Sequence, residues 1–164
     1  MTVPTPLLRR VVVGIGLLTF AWACLAIDAR ASYGGRTTAD EPQYLLTALS
    51  LWEDGDLEIT DELAAERYRT FHEAELPVQT QAVDDSGRLL SPHDPLLPVL
   101  LAVPMGMGGW VGAKLALAAL AGALAALLTW VAVRRFDVPL APAALTVGAF
   151  SLAAPLTAYG TQVY

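Results

Sequence analysis

From Leu96 to Val133 the chain carries one charged side chain, Lys114, in an otherwise apolar run. No other feature limits the possible folds as severely. As a single helix this run would reach ~57 Å at ~1.5 Å per residue, nearly twice the ~30 Å hydrocarbon core of a bilayer. The run is divided: Pro95, Pro98 and Pro104 come first, then GMGGW at Gly106–Trp110. That punctuation predicts a short interfacial or re-entrant segment over 96–110 and a membrane span over 111–133. Trp110 then sits at the headgroup level, where indole rings are favoured. Lys114 lies one turn further in, close enough to snorkel.

Two more apolar stretches complete the pattern. Val11–Ile27 contains no charge, so a first span is expected over 11–29, after a cytoplasmic segment 1–10 that holds Arg9 and Arg10. A secretory signal peptide is the competing explanation, because LLRR, an apolar run and IDARAS follow one another in the appropriate order. The apolar run is long for that role. Twin-arginine export is a second alternative, but RRVVV matches it poorly and more apolar helices follow. A third span is expected over 138–159, with Pro139 and Pro142 in its first turn, where a missing N–H costs little. Pro155 should kink or end it. RRFD at Arg134–Asp137 is read as a cytoplasmic turn, and 160–164 as an extracytoplasmic end.

Orientation follows from the cations. With three spans, Arg9–Arg10 and Arg134–Arg135 fall on one side, which the positive-inside rule makes cytoplasmic. The expected fold class is therefore an all-α integral membrane protein: three transmembrane helices and a long extracytoplasmic loop over 30–95 bearing amphipathic helices. Composition agrees, since 55% of the 164 residues are hydrophobic and 16% charged, with a mean hydropathy of +0.50. A net charge of −6 argues against nucleic acid, whose binding needs clustered cations. A lone cysteine, Cys24, forbids a disulfide within the chain.

The connection between the first two apolar regions holds every acidic residue except Asp137, against Arg30, Arg36, Arg67, Arg69 and Arg88. Such an excess usually marks a solvated surface, but its apolar pattern is that of a folded segment. Leu45, Ala48, Leu49 and Trp52 recur at helical spacing, predicting an amphipathic helix over Pro42–Glu53 that lies on the bilayer or against the bundle. EDGD at Glu53–Asp56 ends it. Asp61–Leu76 reads as a second helix with Asp61 as N-cap, its Arg67 and Arg69 pairing with Asp61, Glu66 or Glu73. VQTQAV and RLLS flank DDSG at Asp84–Gly87, a hairpin pattern.

TTADEPQY, beginning at Thr37, sets Asp40 and Glu41 side by side just before a helix. Asp40 is a favoured N-cap, Gln43 stands at capping-box spacing and Pro42 suits the first turn. A carboxylate held there at the edge of a membrane is also oriented and shielded as a general base must be. The two roles are compatible. The acidic run EDGDLEITDE invites a calcium interpretation, yet it lacks the alternation and glycine position of an EF-hand loop, so no metal site is expected there.

The order of parts resembles the start of the GT-C superfamily of membrane glycosyltransferases, which includes protein O-mannosyltransferases and lipid A aminoarabinose transferases. Those enzymes have one span, a large external loop with jaw helices, then many further spans. Asp40-Glu41-Pro42-Gln43-Tyr44 stands where their Asp-Glu-x-x-Tyr/Phe-like motif follows the first span. SPHDPLLPVLLAVP at Ser91–Pro104 resembles the segment entering their second span, and the terminal YGTQVY resembles the Y-x-x-Q-x-Y closing their third.

The resemblance implies a sugar carried on a polyprenyl phosphate, transferred outside the membrane to an extracytoplasmic acceptor. It makes Asp40 the base on the acceptor hydroxyl and Glu41 a group orienting the acceptor or a metal. Tyr44, His93 and Lys114 become substrate-binding residues, with Arg67 and Arg69 as further candidates to meet the leaving phosphate. The bland roles are snorkelling for Lys114 and a turn position for His93 in SPHDP. No cofactor is implied beyond a possible divalent cation, and the partners are the lipid-linked sugar, its acceptor and membrane lipids. Because GT-C enzymes build their donor groove from many spans, this chain is expected to be the N-terminal fragment of a larger enzyme, inactive alone. The competing class is a small non-catalytic membrane protein or subunit whose acidic loop binds a partner or cations.

Overall fold

The computed structural model describes residues 4–29, 35–77, 79, 81–82 and 87–153. The chain is mostly helical. In order come α1 (Thr5–Leu25), α2 (Glu41–Glu53), α3 (Thr60–Ala64), a 3-10 turn (Arg67–Thr70), the two-residue strands β1 (Gln81–Ala82) and β2 (Leu89–Leu90), α4 (Leu96–Arg135) and α5 (Leu140–Leu152). Two compact units divide them, one from residues 4–27 and 117–153, the other from the described residues of 28–116.

In the first unit, α1, the later part of α4 and α5 meet through small residues. Gly16 and Gly122 let two backbones approach closely: a Cβ on Gly122 would stand 2.7 Å from the Gly16 carbonyl oxygen and 3.1 Å from Phe20 Cβ. Leu8, Val133 and Ala143 form its core, flanked by Val12, Ala132, Val138 and Leu140. Hydroxyls inside it are satisfied locally. Thr19 donates to the Ile15 carbonyl and Thr129 to the Ala125 carbonyl, each at 2.9 Å, so neither brings an unpaired polar group into the packing. Gly122→Val should clash with a backbone atom that cannot move aside. We expect a loss of about 1–3 kcal/mol by overpacking, read as a lower unfolding midpoint in micelles, whereas Gly14→Val, where no atom lies within 4 Å, should fall much less.

Helices α1 and α4 are each long and apolar enough to cross a membrane. Only 17% and 28% of their most apolar windows are buried. Large side chains such as Leu17, Leu25, Leu120 and Leu127 face outward, a surface compatible with a membrane protein. Helix α1 begins at Thr5, six residues before the expected span, so Arg9 and Arg10 are inside it. Pro6 causes no break because the first turn needs no N–H donor.

Helix α4 is interrupted at Gly109, whose φ of 59° and ψ of −157° belong to a region open essentially to glycine alone. The break lies within GMGGW, and Arg134 and Arg135 close the helix where cations oppose its dipole. Asp137, at φ 52°, reverses the chain into α5, and Pro139 stands as its N-cap. Helix α5 differs from the expected 138–159 span. It has 13 residues and its C-cap, Ala153, is already extended, giving ~20 Å at ~1.5 Å per residue. Pro155 and the YGTQVY end lie outside the described residues.

The second unit is built around α2. Leu45, Leu46, Ala48 and Leu49 are buried, and so are Pro42, Gln43, Thr47 and Ser50. This corrects the expected single stripe: α2 is enclosed on nearly all sides by its own unit, and only toward Trp52 does it reach the surface. Gly106 serves that end, because a Cβ there would run into the Trp52 indole. The expected helix over Asp61–Leu76 is also corrected. Helix α3 stops at Ala64, Glu66 turns left-handed at φ 51°, and a 3-10 turn follows. Tyr68, Phe71 and Leu76 are all buried, and positions 71 and 76 do not share a helix face. Burying them at ~1.5–3 kcal/mol each outweighs the few tenths per residue of helix propensity.

Strands β1 and β2 pair antiparallel, Gln81 with Leu90 and Ala82 with Leu89. The tip residues 83–86, with most of the expected DDSG turn, lie outside the described residues, as does Arg30. The other side of β2 is tied to the loop after α2, since the Ile59 N–H donates to the Leu89 carbonyl at 2.9 Å and the Leu89 N–H donates to Thr60 Oγ1 at 2.9 Å.

Candidate functional site

The start of α2 is where the sequence-chosen residues meet, all within the second unit. Ala39 precedes it at φ 49°, an uncommon angle for a residue with a side chain. That turn sends Asp40 and Glu41 in different directions. Glu41 is wholly buried and pairs with Lys114 Nζ at 3.1 Å; its other oxygen accepts the Thr38 N–H at 3.3 Å. Lys114 is buried as well and donates to the Arg36 carbonyl at 3.3 Å. Trp110 completes the enclosure, its ring 5.7 Å from Lys114 Nζ and 5.6 Å from the Arg36 guanidinium.

Two expectations are corrected here. Lys114 does not snorkel: its charge is held inside by Glu41, because a buried carboxylate offers a closer partner than water does. Glu41 in turn has no surface to present to an acceptor. Its role in this arrangement is to anchor the first turn of α2 to the early part of α4.

Asp40 keeps its side chain about half exposed, at 46%. It occupies the N-cap position, but makes no side-chain cap hydrogen bond, and Gln43 makes no capping box. Gln43 Nε2 donates to the Pro77 carbonyl at 3.2 Å instead, drawn inward by burial of the whole helix face. Asp40 Oδ1 lies 3.8 Å from His93 Nε2, an atom that is buried and has no hydrogen-bond partner among the described residues. The ring of Tyr44, one turn into α2, stands 5.0 Å from the imidazole at 36°. The histidine sits in the turn before α4, shaped by Asp94 accepting the Leu96 N–H at 2.9 Å. The result is an accessible carboxylate beside an imidazole whose Nε2 has no hydrogen-bond partner among the described residues, backed by a buried ion pair.

Arg67 and Arg69 do not join this group. Arg67 gives two hydrogen bonds to Glu53, at 2.8 and 2.7 Å, rather than pairing along its own segment as expected, because the helix that would have aligned it ends at Ala64. Arg69 pairs with Glu66 at 3.2 Å. Arg36 holds Glu73, its Nε 3.3 Å from Oε1.

Sequence reasoning passed over Glu62. Burial pushes its carboxyl up to about 8, and the neighbouring carboxylates of Asp61 and Asp54 push in the same direction. A folded-state value above the ordinary 4.5 means that Glu62 supports folding fully below that ordinary value. Its contribution is lost as pH rises through the folded-state value. In buffer freed of divalent cations, the unfolding midpoint of the full chain should therefore decline between about pH 4.5 and 8. Glu62→Gln should flatten that window, and an equal decline in the variant would assign the effect to other groups.

No protein-family model, curated protein or solved structure matches this chain.

Proposed function

We propose that this chain serves a membrane glycosyltransferase reaction of the GT-C kind, with Asp40 as general base and the second unit on the extracytoplasmic side. The acceptor hydroxyl oxygen attacks the anomeric carbon of a polyprenyl-phosphate sugar. Its proton passes to the Asp40 carboxylate as the bond to the lipid phosphate breaks, and the phosphate leaves with the electron pair. His93, whose Nε2 lies 3.8 Å from Asp40 Oδ1, flanks the base.

The observation that carries this reading is the division of labour at the start of α2: Glu41 is sealed into an ion pair, while Asp40, free of any capping bond, remains open beside His93. Lys114 is excluded as a partner for the leaving phosphate unless Glu41 releases it. The test is transfer from a radiolabelled polyprenyl-phosphate sugar, with mannose and aminoarabinose as the first probes, in membranes of cells expressing the gene that encodes this chain. Loss of transfer in Asp40→Asn with the protein still inserted supports the assignment, and undiminished transfer ends it.

A further inference from the structure

Between Glu53 and Glu62 the acidic residues are sorted by what they hold. Glu53 binds Arg67. Asp56 Oδ1 accepts the Glu58 N–H at 2.9 Å and the Ser50 hydroxyl at 3.2 Å. Glu58 Oε1 accepts the Thr60 N–H at 2.8 Å. These bonds shape the loop, and Gly55, at φ 80°, turns it back on itself. Asp54, Asp61 and Glu62 are left, and one carboxylate oxygen from each lies within 4.8 Å of the others.

Glu62 makes this more than a cluster of surface acids. It is only 2% exposed, and both of its oxygens are shielded from solvent with no hydrogen-bond partner among the described residues. A buried anion without a partner is strongly unfavourable, and two further carboxylates beside it add repulsion. Arg67 is near enough to sense Glu62 and Asp54, but its terminal nitrogens are committed to Glu53. The group that satisfies three converging carboxylates is a hard cation. The three oxygens are close enough together to meet on one ion. Three protein carboxylates suit calcium, which takes about six to eight oxygen ligands in flexible geometry, better than magnesium, which keeps several waters and about one or two carboxylates.

We propose that Asp54, Asp61 and Glu62 form a calcium-binding site, outside any EF-hand pattern, that ties the end of α2 to α3. Water completes the coordination. The site stands on these three carboxylates alone and is independent of the transferase reading.

Isothermal titration of the full chain in micelles, stripped with chelator, tests it with calcium chloride and magnesium chloride. We expect about one calcium per chain with Kd near 10⁻⁴–10⁻³ M, the range of weak extracellular sites, together with a higher unfolding midpoint. Magnesium should bind at least tenfold more weakly. Glu62→Gln and Asp54→Asn should each weaken calcium at least tenfold, and Glu75→Gln, an exposed acid outside the cluster, should not. Asp54 is exposed, so its variant reports even if Glu62→Gln fails to fold. Absence of calcium binding up to about 10 mM, well above that range, overturns the proposal. So does magnesium binding as tightly as calcium, or calcium binding that Asp54→Asn leaves unchanged.

Discussion

Replacing Lys114 with methionine is expected to destabilise the second unit by about 3–5 kcal/mol, the usual cost of leaving one member of a buried ion pair alone. The variant keeps the length and most of the apolar stem of the side chain, so packing against Trp110 changes little. What it removes is the charge facing Glu41 at 3.1 Å and the donor to the Arg36 carbonyl. Glu41 would then be a carboxylate with no access to water and without the cation 3.1 Å from it. The measurement is the unfolding midpoint of the full chain in micelles. Glu41→Gln combined with Lys114→Met should recover most of the loss, since a neutral pair leaves no uncompensated charge. A loss below about 1 kcal/mol in the single variant, the range of exposed pairs, would mean that water reaches the pair.

Asp40→Asn is expected to behave in the opposite way. Asp40 makes no side-chain cap bond, so the unfolding midpoint should hardly move, whereas loss of an ordinary capping aspartate costs about 1 kcal/mol. Transfer, in contrast, should fall by about 10²–10⁴-fold, the contribution of a positioned base. The fall should appear in kcat with little change in KM, because the amide still fills the same space and only proton uptake is lost. A substantial loss of stability with transfer intact would return Asp40 to a capping role. His93→Asn should lower transfer less than Asp40→Asn, because the histidine stands beside the carboxylate rather than taking the proton.

Much of the fold's outline can be read directly from residue order. An apolar run with one charge, divided by GMGGW, is expected to split into a short interfacial or re-entrant segment and a span; the stretch from Leu96 is helical, and Gly109 is the residue whose backbone makes the break. RRFD and Pro139 mark the return between α4 and α5 in the same way. Tyr44, Asp40 and His93 were chosen for motif order, and the fold brings them side by side. The Glu41–Lys114 pair could not be read from spacing. Its one signal was a lone cation inside an apolar run, which invites a search for a buried partner.

Local rules failed wherever burial competed with them. The capping box at Asp40 and Gln43 is absent because α2 is enclosed and its polar side chains turn to tertiary partners. The long helix from Asp61 is absent because Tyr68, Phe71 and Leu76 gain more by entering the core. Sequence alone therefore determined where the chain is apolar, where it must turn and that Asp40 stands at a helix start, since these depend on neighbours a few residues apart; Asp61, expected as a cap, lies inside α3 behind Ile59. Only the tertiary structure decided which carboxylate is sealed, which is open and which, at Glu62, lacks a partner. Desolvation and charge pairing depend on groups distant in sequence, and no short stretch of the chain contains both.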